Sequence, residues 1–230
     1  MKRIWNKDRY FDYDEEILDV QDLPPIIKED CVKTLFTMQD LLKDKGIGLY
    51  LAYGTLLGAV RDKDFIEGDL DVDCYITNWD AVFDNLQYLS DHGMKLIRAN
   101  ESLFSFRNIN SPGCYVDLYN MRIPHNLWAL YCYQVGNSMC PRKYLQDGEI
   151  LFLGRIFKCP QNPEHFLRFM YGETWNIPIG KDEKEYKYTV TSHYYYKKIK
   201  HRVKYFVQKA IGWYHWRHLV KKQYRINDIQ

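Results

Sequence analysis

Between residues 29 and 45, apolar side chains return at three- and four-residue spacing (Cys31, Leu35, Met38, Leu42), with Val32 and Phe36 beside them and Gly46 following. That period predicts an amphipathic helix closed by a glycine C-cap. Ile47 to Tyr53 is a short apolar run that reads as a strand; Gly54 and Thr55 break it, and Leu56 to Arg61 resume with the composition of a short helix. Leu70, Val72, Cys74 and Ile76 alternate with Asp71, Asp73 and Tyr75, the period of a half-buried strand whose polar face carries two acids. Asn78 is placed to cap a helix with the stripe Trp79, Val82, Phe83, Leu86 and Leu89, closing at Gly93. Ser102–Arg107 and Cys114–Asn120 flank a turn rich in Asn, Pro and Gly and predict a hairpin, with Tyr115, Asp117 and Tyr119 on one face of its second strand. Pro163 to Tyr171 is a short helix stopped by Gly172, residues 176–191 read as a polar linker, and 192–222 as a basic amphipathic helix on Ile199, Val203, Phe206, Ala210 and Trp213.

Composition adds two constraints to this pattern. With 46% apolar and 27% charged residues over 230 positions, the chain is of ordinary globular make-up, which excludes disorder, collagen and coiled coil. The net charge of +2 conceals an asymmetry: residues 192–230 hold ten Lys and Arg against the single acid Asp228, a net +9, so the rest carries −7. A mildly acidic body with a strongly basic tail suits contact with a polyanion, nucleic acid or anionic membrane. The six cysteines form no C-x-x-C pair and read as reduced core thiols. No leader-like or membrane-spanning apolar run is present, so a cytoplasmic protein is expected.

The candidate chemistry sits in the acids. Asp71 and Asp73 are two apart on one predicted strand, so their carboxylates leave the same face. Close like charges repel, and Mg²⁺ cures this by binding one or two carboxylates together with substrate phosphate oxygens; an exposed face salted by Lys and Arg is the plainer reading of D-x-D alone. Gly54-Thr55 at a strand-to-helix junction lets backbone amides approach a phosphate, to which the Thr hydroxyl adds a hydrogen bond. Asp117 lies mid-strand among apolar and aromatic neighbours, where an isolated acid is costly unless a shared metal compensates it. Three acids and a glycine turn describe a phosphoryl-transfer site. His92, His125 and His165 read as helix-end or surface residues, and His215 with His218 lacks further zinc ligands.

The run Tyr53-Gly54-Thr55-Leu56-Leu57-Gly58-Ala59-Val60-Arg61, then Phe65-Ile66 and Asp69-Leu70-Asp71-Val72-Asp73, resembles the signature of the LicD family of phosphocholine and polyol-phosphate transferases, which is distantly similar to fukutin-related protein. Pro160, Glu164, Leu167, Tyr171-Gly172 and Pro178 are similar to a second motif of that family. The resemblance implies an α+β fold of nucleotidyltransferase type, a mixed sheet flanked by helices. It implies transfer of a phospho-alcohol from a CDP-activated donor to a hydroxyl of a glycan or lipid-linked glycan, with Mg²⁺ or Mn²⁺. Carried over by residue, Asp71, Asp73 and Asp117 are the catalytic and metal-binding acids, while Gly54, Thr55, Arg61 and Asp69 bind substrate, Arg61 by a bidentate grip on donor phosphate; the plainer reading of Arg61 is a surface ion pair with Asp62 or Asp64. Asp117 is either a metal ligand or the general base. Glu67-Gly68-Asp69-Leu70-Asp71 stands where the family usually has Pro-Trp-Asp-Asp-Asp, which bears on the choice of alcohol more than on the reaction.

The expected organisation is an N-terminal extension (1–28), a LicD-like catalytic domain (29–180), and a linker with the basic helix (181–230). For 192–222, docking on the inner face of an anionic membrane and packing against the protein's own body weigh equally, and no nucleic-acid motif accompanies the basic tail. The rival functions are transfer of a nucleoside monophosphate to a small molecule, protein or RNA, and, behind it, a non-catalytic polyanion-binding module.

Overall fold

The computed structural model describes residues 1–18, 26–122, 132–135, 138–144, 146–178 and 224–229. The expected helix over 192–222, most of the linker over 176–191, and His125, His215 and His218 lie outside the described residues. Helix α1 runs Lys28–Asp44 and buries the expected stripe of Cys31, Leu35, Met38 and Leu42. Its chain turns at Gly46, φ 68°, into strand β3 (Leu49–Leu51). Helix α2 (Tyr53–Arg61) starts before the glycine turn rather than after it, with Tyr53 itself at φ 38°. Strand β4 (Val72–Ile76) follows, then helices α3 (Trp79–Asp84) and α4 (Leu86–Asp91), strands β5 (Met94–Asn100), β6 (Leu103–Asn108) and β7 (Ser111–Arg122). The single helix expected from Asn78 is therefore two. Asn78 accepts a capping bond from the Ala81 N–H, and Asn85, whose amide donates to the Ala81 carbonyl, divides them.

Strands β8 (Cys132–Val135), β9 (Ser138–Pro141), β10 (Asp147–Phe152) and β11 (Arg155–Pro160) precede helix α5 (Pro163–Tyr171), which is capped by Asn162 and ends at Gly172, φ 91°. The main sheet is mixed, in the order β10-β11-β3-β4-β7-β6-β5, with β8 paired to the Met121–Arg122 end of β7 and β9 paired to β8. Helix α1 packs on β7 and β3, α2 on β4, α4 on β5, and α5 on α2 and β11. The five cysteines with described side chains are free thiols, four of them buried, as read from their spacing.

Strands β1 (Lys2–Asn6) and β2 (Arg9–Tyr13) form a hairpin that β12 (Tyr224–Asp228) completes as a separate three-stranded sheet. The ends of the described chain thus pair directly, Ile4 opposite Ile226. Tyr224 is buried against Phe83, and its hydroxyl meets Asp80 and Asn6. No strand was expected at either place.

Candidate active site

Strands β4 and β7 are parallel neighbours in a register that sets Val72 opposite Val116, Asp73 opposite Asp117 and Tyr75 opposite Tyr119. Because side chains alternate along a strand, Asp73, Tyr75, Asp117 and Tyr119 share one face, and Val72, Cys74, Val116 and Leu118 fill the core on the other. Asp71 stands just before β4. Asp71, Asp73 and Asp117 each bring a carboxylate oxygen within 4.8 Å of the others. The strand expected to be half-buried is buried throughout, since its polar face looks onto Tyr53 and Tyr119 rather than water. Tyr53 packs edge-on to Tyr75 at 5.1 Å and to Tyr119 at 5.0 Å between ring centroids, which walls the acids on one side.

The glycine turn contributes backbone. Gly54 N–H, in the first turn of α2, donates to Asp73 Oδ2 at 3.3 Å. A Cβ on Gly54 would lie 2.7 Å from Asp69 Oδ2, so the absent side chain is what lets Asp69 approach. Thr55, expected to face a phosphate, is buried and accepts from the Asp73 backbone N–H at 2.8 Å, fixing the strand that carries the acid. Arg61 lies at the opposite end of α2, about 12 Å along the axis from its start by helical rise. There its guanidinium forks onto Asp62, with Nε to Oδ1 at 2.8 Å and Nη2 to Oδ2 at 2.7 Å. Gly54, Thr55, Asp69, Asp71, Asp73 and Asp117 therefore come together, and Arg61 does not join them.

A residue outside the motifs completes the cluster. Arg98 on β5 donates from Nη2 to Asp117 Oδ2 at 2.7 Å and from Nε to the Ser105 hydroxyl of β6 at 2.9 Å. A register shift between Leu96 and Arg98, a β-bulge, sets Arg98 opposite Ser105, which itself stands opposite Asp117. Asp73, Asp117, Ser105 and Arg98 thus form one polar row across four adjacent strands. The bulge breaks the alternation of Met94–Asn100, so periodicity held no signal for Arg98.

Burial dominates the electrostatics. It raises the Asp71 carboxyl to about 7, assisted by Asp117 and Asp69 and opposed by Arg98. Asp73 is pushed well above the carboxylate range, first by burial and then by Asp71, Asp117 and Asp69, with Gly54 N–H pulling the other way. Asp117, 1% exposed, is also raised, because burial outweighs Arg98, Ser105 and Tyr119 together. Among the described residues its Oδ1 accepts no hydrogen bond, although the other oxygen takes both Arg98 and the Tyr119 hydroxyl, the latter at 3.4 Å. Convergent, desolvated carboxylates with an unsatisfied oxygen suit a hard divalent cation, which takes oxygen ligands and removes both the repulsion and the vacant acceptor.

A family model described as LicD/FKTN/FKRP, nucleotidyltransferase domain, matches residues 46–162, which contain the glycine turn, all the acids and Arg98. The chain belongs to the LicD family. Among solved structures, this LicD-family chain is similar to the solution structure of the antibiotic-resistance factor ANT(2'')-Ia, at 11% identity and TM-score 0.52, over 84% of this chain and 100% of that one. It is also similar to lincosamide antibiotic adenylyltransferase LnuA bound to lincomycin, at 15% identity and TM-score 0.46, over 73% and 96%. A second ANT(2'')-Ia structure, in complex with adenylyl-2''-tobramycin, matches at 13% and 0.46, over 80% and 98%. At such identities the first of these likenesses speaks for the fold alone, a nucleotidyltransferase fold. No curated protein matches the chain.

Proposed function

We propose that this LicD-family protein is a metal-dependent transferase that moves a phospho-alcohol, phosphocholine or a polyol phosphate, from a CDP-activated donor to a hydroxyl of a cell-surface glycan or glycolipid. The observation that carries the reading is the convergence of Asp71, Asp73 and Asp117 within 4.8 Å, beside the first turn of α2, in a chain of this family. Asp71, Asp73 and Asp117 would hold Mg²⁺ or Mn²⁺. When bound, a divalent ion neutralises charge on the donor pyrophosphate. The chain's own part is positional. Thr55 fixes the Asp73 backbone, Gly54 keeps the approach to the acids free of a side chain, and the amides opening α2 favour an anion.

Asp117 has two roles open to it, metal ligand or general base toward the acceptor hydroxyl, and its unpaired Oδ1 serves either. In the reading proposed here Asp69 borders the donor and Arg61, held by Asp62, shapes the end of α2. No described helix is long and apolar enough to cross a membrane. The basic segment 192–222 is proposed to bring the enzyme to an anionic surface bearing a lipid-linked acceptor.

The test is which product leaves. CMP released from CDP-choline, CDP-ribitol or CDP-glycerol with Mg²⁺ or Mn²⁺ and a glycan acceptor supports the proposal. Pyrophosphate released from CTP or ATP, with no CMP from any CDP-alcohol, replaces it with nucleotidyl transfer.

A further inference from the structure

Arg3, Arg61 and Arg107 each meet a carboxylate through both Nε and Nη2, Arg107 with both on Glu16 Oε2, and Arg98 does not. Arg3 forks onto Asp12, Nε to Oδ1 at 2.6 Å and Nη2 to Oδ2 at 2.7 Å, and Arg61 forks onto Asp62 in the same way. This two-bond geometry satisfies both carboxylate oxygens and is how a guanidinium serves as a counter-ion. Arg98 divides its donors instead, giving Nε to Ser105 and Nη2 to one oxygen of Asp117. The division leaves a carboxylate oxygen unsatisfied at 1% exposure. It also leaves both N–H groups of Nη1 without a hydrogen-bond partner among the described residues, on a side chain that is 31% exposed. The β-bulge before Arg98 is what turns it onto the polar row, so the split arrangement is built into the strand.

Such a cation is held through two of its nitrogens, already bonded to the acid cluster, and equipped with spare planar donors. Phosphoryl transfer is favoured by a donor of that kind beside the carboxylates, because it adds to a divalent ion's neutralisation of charge on the pyrophosphate. We propose that Arg98 is the phosphate-binding arginine of the site: it holds Asp117 with Nη2 while Nη1 takes an oxygen of the donor pyrophosphate. This assigns to Arg98 the part that the family resemblance gave to Arg61, whose fork is closed on Asp62. The proposal rests on reading the site as one of phosphoryl transfer, and holds equally for a CDP-alcohol or a nucleoside triphosphate donor.

The test uses the full chain with Mn²⁺ and inorganic pyrophosphate as probe, followed by titration calorimetry, with Mn²⁺ affinity measured separately by electron paramagnetic resonance. Arg98→Gln should weaken pyrophosphate binding in the presence of Mn²⁺ at least tenfold while changing affinity for Mn²⁺ alone less than threefold. Arg61→Gln should leave both within twofold. Arg98→Lys keeps a charge beside Asp117 without the fork, and serves if the Gln variant does not fold; a loss of at least threefold is expected. Wild-type pyrophosphate affinity in the Arg98 variant, or a parallel loss of Mn²⁺, overturns the proposal, the latter because Arg98 would then act only by placing Asp117. Failure here leaves CMP release from CDP-alcohols untouched. Conversely, absence of that release in the wild type defeats the wider reading whatever Arg98 binds.

Discussion

Asp73 and Asp117 stand directly opposite each other on the parallel strands β4 and β7, in a register that also pairs Tyr75 with Tyr119. The two acids come from distant stretches of sequence, and neither ion pair nor hydrogen bond to the other relieves them. Arg98 answers for one and Gly54 N–H for the other, which leaves a surplus of negative charge in a desolvated place.

Removing one of those charges should therefore separate activity from stability. Asp71→Asn or Asp73→Asn is expected to lower transfer at least a thousandfold while raising the melting temperature of the metal-free protein, read by calorimetry in chelator. Near-normal turnover in either variant would discard the metal-binding assignment.

The pH dependence follows with a definite sign. Asp71 has an ordinary value of 3.8 and is raised to about 7 in the folded chain, so the folded state binds more protons between those limits. The stabilising contribution of the protonated carboxyl is full below 3.8 and is lost as pH rises through about 7. Melting temperature of the metal-free protein should accordingly fall across that window. Asp71→Asn should flatten the curve, and saturating Mn²⁺ should reverse its slope.

Asp117→Asn is expected to cost at least a thousandfold in turnover, with less than a tenfold change in donor affinity, if the acid activates the acceptor hydroxyl. Single-turnover kinetics and donor titration separate the two effects. Collapse of donor affinity with normal turnover of bound donor would give the residue a binding role instead.

Two glycines of one motif should fail in different ways. At Gly58 a Cβ would lie 2.4 Å from the Asp64 backbone carbonyl, so Gly58→Ala should destabilise the fold by about 1–3 kcal/mol. At Gly54 its one close contact, at 2.7 Å, is with Oδ2 at the end of the Asp69 side chain and not with backbone. Gly54→Ala should melt near the wild type and lose at least tenfold in kcat/KM. Equal loss of stability in both would contradict this division.

The position of β12 governs how the basic segment is tested. Cutting the chain after residue 191 would strip Tyr224 from Phe83, and loss of that buried ring alone, as in Tyr224→Ala, should cost about 3–5 kcal/mol in denaturant unfolding. Replacing Lys197, Lys198, Lys200 and Lys204 by Gln keeps the strand. The full chain should sediment with anionic liposomes at low salt, and the substituted chain and the high-salt sample should stay in the supernatant. Equal recovery of both in the supernatant at low salt would end the membrane reading.

What the sequence determined by itself was local. Helices α1 and α5 and the caps at Asn78 and Gly46 were legible because a 3.6-residue period and a cap need only near neighbours. The acids Asp71 and Asp73 were legible because residues two apart in extended chain project to one side, although the strand expected from Leu70 begins at Val72 and leaves Asp71 just before it. Asp117 was legible as an acid out of place, but its partner was not, since strand order and register are long-range properties. Tertiary structure alone decided that Thr55 would serve the Asp73 backbone, whereas the fork of Arg61 on Asp62 joins chain neighbours and was open to the sequence as an ion pair. Only tertiary structure brought β1 to β12, and turned Arg98 into the polar row through a bulge that erased its alternation. The division has one physical cause. Periodicity reports which face a residue takes within its own element, whereas a site assembled across four strands depends on which elements become neighbours, and that is settled by packing of the whole core.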